Sequence, residues 1–327
     1  MSRKIVTAIG IAAVALPAPS ILSAQIETGT TETAGGISGA DAASAEPSEE
    51  GALTFEMGAD LEYDSNIALL EVDTSTNAGD TVGTLRFGLG YDMPNDGRFD
   101  WNAGYNFSQT MHQDFDAFDL RLHRGSSTLS WDFGRVDFGV MLQHADAELD
   151  GQSFMTLTQV SPYLTKLAGS KLFLRFAYVD TDKDFAGNSQ RAADAESWTS
   201  DVYIFLDGLT TYLLLGARID DEDAIDGQFD YEAQRFRLQV SHRFSLRSRT
   251  LTFRAGLRTE SRDYSSVTPS IGAIRSDDRL ELDASAELPL GDRLTASFEL
   301  RRANNDSNLS SVDFNENVVS LGVTTTF

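Results

Sequence analysis

Along most of this chain apolar residues occupy every second position. The last segment shows the pattern plainly: Val319, Leu321, Val323, Thr325 and Phe327 share one parity, and the intervening positions are polar or glycine. A period of two places successive side chains on opposite faces of an extended strand. Leu53, Phe55, Met57, Ala59, Leu61 and Tyr63 form a first such stripe, Leu85 to Met93 a second, and Phe99, Trp101, Ala103, Tyr105 and Phe107 a third. In the fourth, 119–133, the apolar parity changes near Gly125, from Leu120 and Leu122 to Leu129, Trp131 and Phe133, which predicts a β-bulge. Further stripes at 136–142, 155–163, 172–178, 199–205, 209–219, 236–244, 251–257, 280–288 and 294–300, with the terminal one, bring the expected count to fourteen strands.

The connections carry a second rhythm. Tight joints at 94–97, 134–135, 168–170, 207–208, 245–249 and 289–293 alternate with long polar stretches around 64–81, 109–118, 145–153, 180–197, 220–230, 261–278 and 302–315. Bacterial outer-membrane barrels pair short periplasmic turns with long external loops. No later segment approaches 18 consecutive apolar residues, so a membrane-spanning structure has to be a closed barrel, in which every backbone group is satisfied between strands. The fold class expected is all-β: a transmembrane antiparallel up-and-down barrel of about fourteen strands. Trp101 and Trp131 near short joints, and Trp198 near a long one, fit aromatic girdles at the two interfaces. A soluble β-sandwich also alternates, but its strands are shorter and lack this loop rhythm.

The N-terminus changes the compartment. Arg3 and Lys4 precede an apolar run from Ile5 to Leu16 and a small-residue end at Leu22-Ser23-Ala24, so residues 1–24 read as a secretory signal peptide. Residues 25–50, rich in Gly, Ala, Ser, Thr and Glu, read as a disordered periplasmic tail. Residues 51–327 are the barrel, and the expected location is the bacterial outer membrane. A C-terminal strand ending in Phe327 is similar to the signal read by the barrel-assembly machinery, the first partner expected; lipid and lipopolysaccharide are the others. With no cysteine, thiol chemistry and disulfides are excluded. The net charge of −24 argues against nucleic acid, which is bound by Lys and Arg. The acidic stretch 220–230, with Asp220, Asp221, Glu222, Asp223, Asp226 and Asp230, reads as a solvated, self-repelling loop rather than a Ca²⁺ site, because no calcium-loop spacing is present. No cofactor fingerprint or metal-ligand spacing is found.

The opposite parity of the strands is where charge gathers. Arg235, Arg237 and Arg243 on strand ten, Arg254 and Arg258 on strand eleven, and Glu281, Asp283 and Glu287 on strand twelve all take it, as do Arg86, Arg175, Arg218 and Arg301. On the lipid side such an Arg would cost about 2–4 kcal/mol at the midplane, so these residues are expected to face the lumen. They either pair along the wall and fill a narrow barrel, or form a transverse field that selects solutes. The functional expectation is a channel or translocation barrel that passes polar solutes through an Arg-lined lumen. Its alternative is a non-conducting structural or surface-interaction barrel acting through acidic external loops. An outer-membrane lipid hydrolase ranks last: only His112 and His144 of the four histidines sit near external strand ends, and no nucleophile motif accompanies them.

Tyr63-Asp64-Ser65-Asn66-Ile67 closes the first strand. This segment resembles the opening of the barrel domain in the surface lipoprotein assembly modifier family, where a Y-D-S-N-[VI] motif follows strand one. The fourteen-strand count and terminal Phe are also similar to that family. The resemblance spans 51–327 in architecture and five residues in motif. It implies a barrel of the same build without the helical-repeat domain that precedes it in family members, since here only 25–50 stands there.

Overall fold

The computed structural model describes residues 52–94 and 97–327. The expected signal peptide and periplasmic tail lie outside the described residues, as do Gly51 and, in the first tight joint, Asn95 and Asp96.

Fourteen antiparallel strands close into one barrel. In chain order they are β1 (Ala52–Asp64), β2 (Asp80–Asp92), β3 (Phe99–His112), β4 (Leu120–Asp132), β5 (Asp137–Leu149), β6 (Gln152–Ala168), β7 (Leu172–Phe185), β8 (Ala193–Asp207), β9 (Thr211–Ala224), β10 (Tyr231–Leu246), β11 (Arg249–Thr268), β12 (Ala273–Pro289), β13 (Leu294–Ser307) and β14 (Phe314–Thr326). Each strand pairs with its sequence neighbours. The seam closes between β1 and β14, from Glu56↔Thr326 to Asp64↔Val318, and Phe327 exchanges backbone hydrogen bonds with Phe55. Closure leaves no unpaired edge, which the hydrocarbon interior of a membrane would not tolerate.

The apolar parity points outward. Leu53, Phe55, Met57, Leu61 and Tyr63 are exposed on β1, and Val319, Leu321 and Val323 on β14. The stripe from Leu53 to Tyr63, at about 3.3 Å per residue and tilted by about 40°, is about 25 Å tall, the height of a bilayer's apolar band. Aromatic clusters mark its margins: Tyr91 packs on Trp101 (5.6 Å between ring centres) and Phe99 on Trp131 (4.6 Å) at one end, Phe176 and Tyr178 on Trp198 (5.4 and 4.9 Å) at the other.

Two sequence expectations are corrected. No bulge occurs at Gly125: β4 keeps unbroken register with β3 (Phe99↔Trp131 to Thr110↔Leu120) and with β5 (Leu120↔Leu149 to Asp132↔Asp137). Leu120 and Leu122 instead face inward and are buried, because they belong to an apolar cluster inside the barrel mouth with Leu69, Met155 and Leu157. The long polar stretches hold shorter loops than expected, and two of the seven, 145–153 and 261–278, are almost entirely strand. The strands extend into these stretches, and β5 and β6 meet at a two-residue turn, Asp150-Gly151, with both residues at positive φ (48° and 67°). That is the geometry of a type I′ hairpin, which follows the twist of its flanking strands. Likewise β11 and β12 are joined only by residues 269–272. The strands therefore extend beyond the apolar band, with polar residues on both faces.

Candidate functional site

All twelve charged candidates stand at interior parity, and most are tied to a neighbour along the wall. Arg86 pairs with Asp60, Arg254 with Glu287 (2.9 Å) and Arg258 with Glu281 (2.7 Å). Arg218 (2.5 Å) and Arg235 (3.5 Å) share Asp220, Arg235 also reaches Glu260 (2.9 Å), and Arg237 lies 3.3 Å from Asp201. Arg301 joins Glu316 (2.7 Å) and Glu281 (3.9 Å). Arg175 stacks 4.5 Å above the Tyr163 ring. Arg243 is half-buried toward the opposite end of its strand, and Asp283 lies flat over Gly256. An added Cβ at Gly256 would sit 2.4 Å from an Asp283 oxygen, so glycine there is what lets the carboxylate lie against the wall.

The inner surface is therefore a mosaic of opposite charges paired within a strand or one or two strands apart, rather than a basic stripe opposite an acidic one. Removing charges from water is costly unless each finds a partner, and planar guanidiniums supply directional donors for that purpose. Asp60, Asp201, Asp220, Glu260 and Glu316 belong to the mosaic and were not among the candidates. Parity finds Asp60, Asp201, Glu260 and Glu316, because each alternates with outward residues just as the candidates do, whereas Asp220 falls in 220–230, read as loop. Arg275 and Asp277 are hidden in the same way as Asp220: they fall in 261–278, read as loop.

The mosaic does not extend round the whole circumference. From β3 to β6 the interior is mostly uncharged, with Asn102, Asn106, Thr110, Thr128, Met141, Gln143, Leu157, Gln159 and Ser161.

The connection 65–79, expected outside, folds into the mouth of the barrel. The Tyr63–Ile67 motif turns it inward: Asn66 N donates to Asp64 Oδ1 (3.0 Å), and Ser65 exchanges hydrogen bonds with Asn317. Ile67, Ala68 and Leu69 are buried, and Leu69 seats on the inward residues of β4 to β6. A short ribbon (68–69 with 74–75) and the one-turn 3-10 helix Leu70–Val72 bring Asp73 to the far side. There its carboxylate meets Arg191, from the connection after β7, and Arg275 of β12 (2.6 Å), while Ser75 Oγ donates to Ser311 O (2.8 Å). The segment thus touches the wall on several sides. Beside it lies a cavity whose atom-free space, partly continuous with solvent, is about 630 Å³.

The histidines do not form a shared site. His112 faces inward against Asp119 (3.3 Å), whereas His144 faces outward and bonds Thr158 (2.9 Å). The 220–230 stretch is split by strand geometry: Asp220 and Glu222 turn inward to arginine and lysine partners, Asp221 and Asp223 turn outward, and Asp230 accepts from Ala224 N (2.8 Å). No group of acidic or histidine side chains able to hold a metal ion is found among the described residues.

Residues 206–327 match the family described as "Putative beta-barrel porin 2". Among solved structures the chain is similar to the outer-membrane channel DcaP of Acinetobacter baumannii (TM-score 0.54, 10% identity, 85% of this chain and 97% of that one). It is also similar to OmpT of Vibrio cholerae lacking loop L8 (TM-score 0.52, 7% identity, 85% and 99%). The fold is that of the outer-membrane porins. An anion-selective porin of Comamonas acidovorans covers 85% of this chain and 100% of its own at 12% identity and TM-score 0.48. No curated protein matches the sequence.

Proposed function

We propose that this porin-type barrel is an outer-membrane channel for small polar solutes. The observation that carries the reading is the contrast between its two surfaces: an apolar band outside, and inside a polar and charged lining, which is the interior that water-filled barrels have. Fourteen strands also lie between the side-chain-filled eight and the water-filled sixteen to eighteen. The arginines are the groups expected to set selectivity, with Arg235, Arg237 and Arg254 foremost, and the segment 65–79 narrows the path at its outer end. Lipid and lipopolysaccharide surround such a barrel, and the seam strand ending in Phe327 is the part offered to the assembly machinery. The likeness of Tyr63–Ile67 to the surface lipoprotein assembly modifiers supports a shared barrel opening; a lipoprotein client is a narrower reading that the charged interior does not favour.

Single-channel conductance of the refolded protein in planar bilayers, with reversal potential under a salt gradient, tests the proposal. Stable openings are expected, with anion preference reduced when Arg235, Arg237 and Arg254 are replaced together by Ala. Silence from a demonstrably folded barrel overturns the channel and leaves the plugged, surface-interaction alternative, which the inward segment 65–79 favours.

A further inference from the structure

We propose that Arg191 and Arg275 form a carboxylate-binding site in the outer mouth of the barrel, held in this chain by its own Asp73, and that a small organic acid with an apolar body takes the same place. One guanidinium comes from β12 and the other from the connection after β7, and they converge on one carboxylate, one on each oxygen: Arg275 Nη1 donates to Oδ1 (2.6 Å) and Arg191 Nη2 to Oδ2. Arginine forks recognise carboxylates through such directional, charge-assisted bonds.

Arg275 is set by the barrel wall, and Arg191 by the connections at its mouth. Arg275 gives Nε and Nη2 to Asp277 (3.0 and 2.6 Å), which in turn accepts from Ser307 (2.6 Å), and its guanidinium lies 4.5 Å from the Tyr264 ring centre. Arg191 lies 4.0 Å above Phe229 and also donates from Nη1 to Glu71 O (2.7 Å), in the segment that carries Asp73. The Arg275 half of the site is thus fixed by groups other than its occupant and is preorganised, and the Phe229 ring keeps the Arg191 guanidinium beside it when the carboxylate exchanges.

The occupant is a piece of loop with a particular chemistry. Just before the carboxylate, Leu69 and Val72 pack on Leu120, Leu122, Met155 and Leu157. An acid group next to an apolar body is what the mouth holds now, and a fatty or aryl carboxylic acid presents the same pair. The adjoining cavity, whose lining mixes apolar Leu157 and Phe185 with Arg191 and Arg262 and with Glu71 and Glu222, gives such a molecule room. Because Asp73 is tethered, its effective concentration at the site is high, and a free acid binds only to the fraction of molecules in which it has left.

The inference rests on the channel reading only for the route by which an acid arrives; the site itself is testable without conduction. Isothermal titration with hexanoate, hexylammonium and hexan-1-ol is run on the full refolded chain in detergent micelles. Asp73→Asn removes the charge, keeps the shape and suits the left-handed backbone of this position (φ 54°), which asparagine tolerates. Hexanoate is expected to bind Asp73→Asn roughly tenfold more tightly than the unaltered chain, or better. Adding Arg191→Gln and Arg275→Gln is expected to abolish that binding, and the cation and the alcohol are expected not to bind.

Equal hexanoate affinity with and without Asp73, or binding that survives loss of both arginines, overturns the site. Should Asp73→Asn fail to fold, backbone chemical shifts of Leu69–Asp73 in the unaltered protein decide it: movement with hexanoate supports the site, and no movement overturns it. A barrel that binds hexanoate in this manner but stays silent in bilayers refutes the channel alone. One that conducts without binding hexanoate refutes the site alone.

Discussion

The inner and outer faces of β7 to β14 carry charge under opposite rules. Inside, acid meets base: Arg258 pairs with Glu281 (2.7 Å) and Arg301 with Glu316 (2.7 Å) on neighbouring strands, and Lys183 reaches Glu222 (2.6 Å) across β8. Outside, above the apolar band, acid meets acid: Asp194 stands opposite both Asp182 and Asp223, and Glu196 opposite both Asp180 and Asp221, in a row that continues through Glu232 to Asp263. Strand geometry is the same on both faces, so the difference lies in water. Interior charges are screened from solvent and must be matched by a partner, whereas exposed carboxylates keep their hydration and repel one another only weakly.

The strongest test of this contrast replaces adjacent arginines on β13. Arg301 is buried between two carboxylates, and its removal leaves them without their guanidinium, so Arg301→Leu is expected to cost about 3–5 kcal/mol. Its neighbour Arg302 points outward and is exposed, and Arg302→Leu is expected to change stability by less than about 0.5 kcal/mol. Reversible urea unfolding in micelles, followed by tryptophan fluorescence, measures both. Equal costs would show that the interior is as well hydrated as the surface and would break the comparison.

The barrel was legible in the sequence because lipid enforces parity: an apolar side chain at every second position, strand after strand, admits few other folds. Inward charge was legible for the same reason, and all the charged candidates stand where parity put them. What failed was everything set by tertiary contact. Leu120 and Leu122 were read as an outward stripe broken by a bulge, since nothing local says that Leu69, far earlier in the chain, will cover them inside the mouth. The outer strand extensions were read as loops because polar residues on both faces erase the alternation. Asp150-Gly151 was a hairpin signal within one of those stretches, masked by its acidic surroundings. Arg191, Arg275 and Asp73 were invisible as a group, because only closure of the barrel and the inward turn of 65–79 bring them together.

A smaller effect separates glycines on the two faces. At Gly256 an added Cβ would fall 2.4 Å from Asp283 Oδ1, so Gly256→Ala has to lift that carboxylate off the wall and is expected to cost about 1–3 kcal/mol. At Gly125, at outward parity, nothing lies within 4 Å of the added Cβ, and Gly125→Ala is expected to gain about 0.5–1 kcal/mol from the restricted unfolded chain. The same urea titration reads the two signs, and a stabilising Gly256→Ala would mean that Asp283 does not need the wall.

The smallest effect sharpens the comparison most, because it changes sign between faces. Glu196 lies directly opposite Asp180 on one side and Asp221 on the other, so Glu196→Gln relieves two like-charge pairs and is expected to stabilise by about 0.2–1 kcal/mol at low ionic strength. At about 1 M salt, where the Debye length is about 3 Å, the gain should vanish. Glu222, on the next strand and turned inward, accepts from Lys183 and from the Tyr231 hydroxyl (2.7 Å), so Glu222→Gln should destabilise, and salt should leave most of that loss in place. A Glu196→Gln gain that persists in 1 M salt would point to packing rather than charge, and the outer acidic row would then cease to be the electrostatic counterpart of the inner pairs.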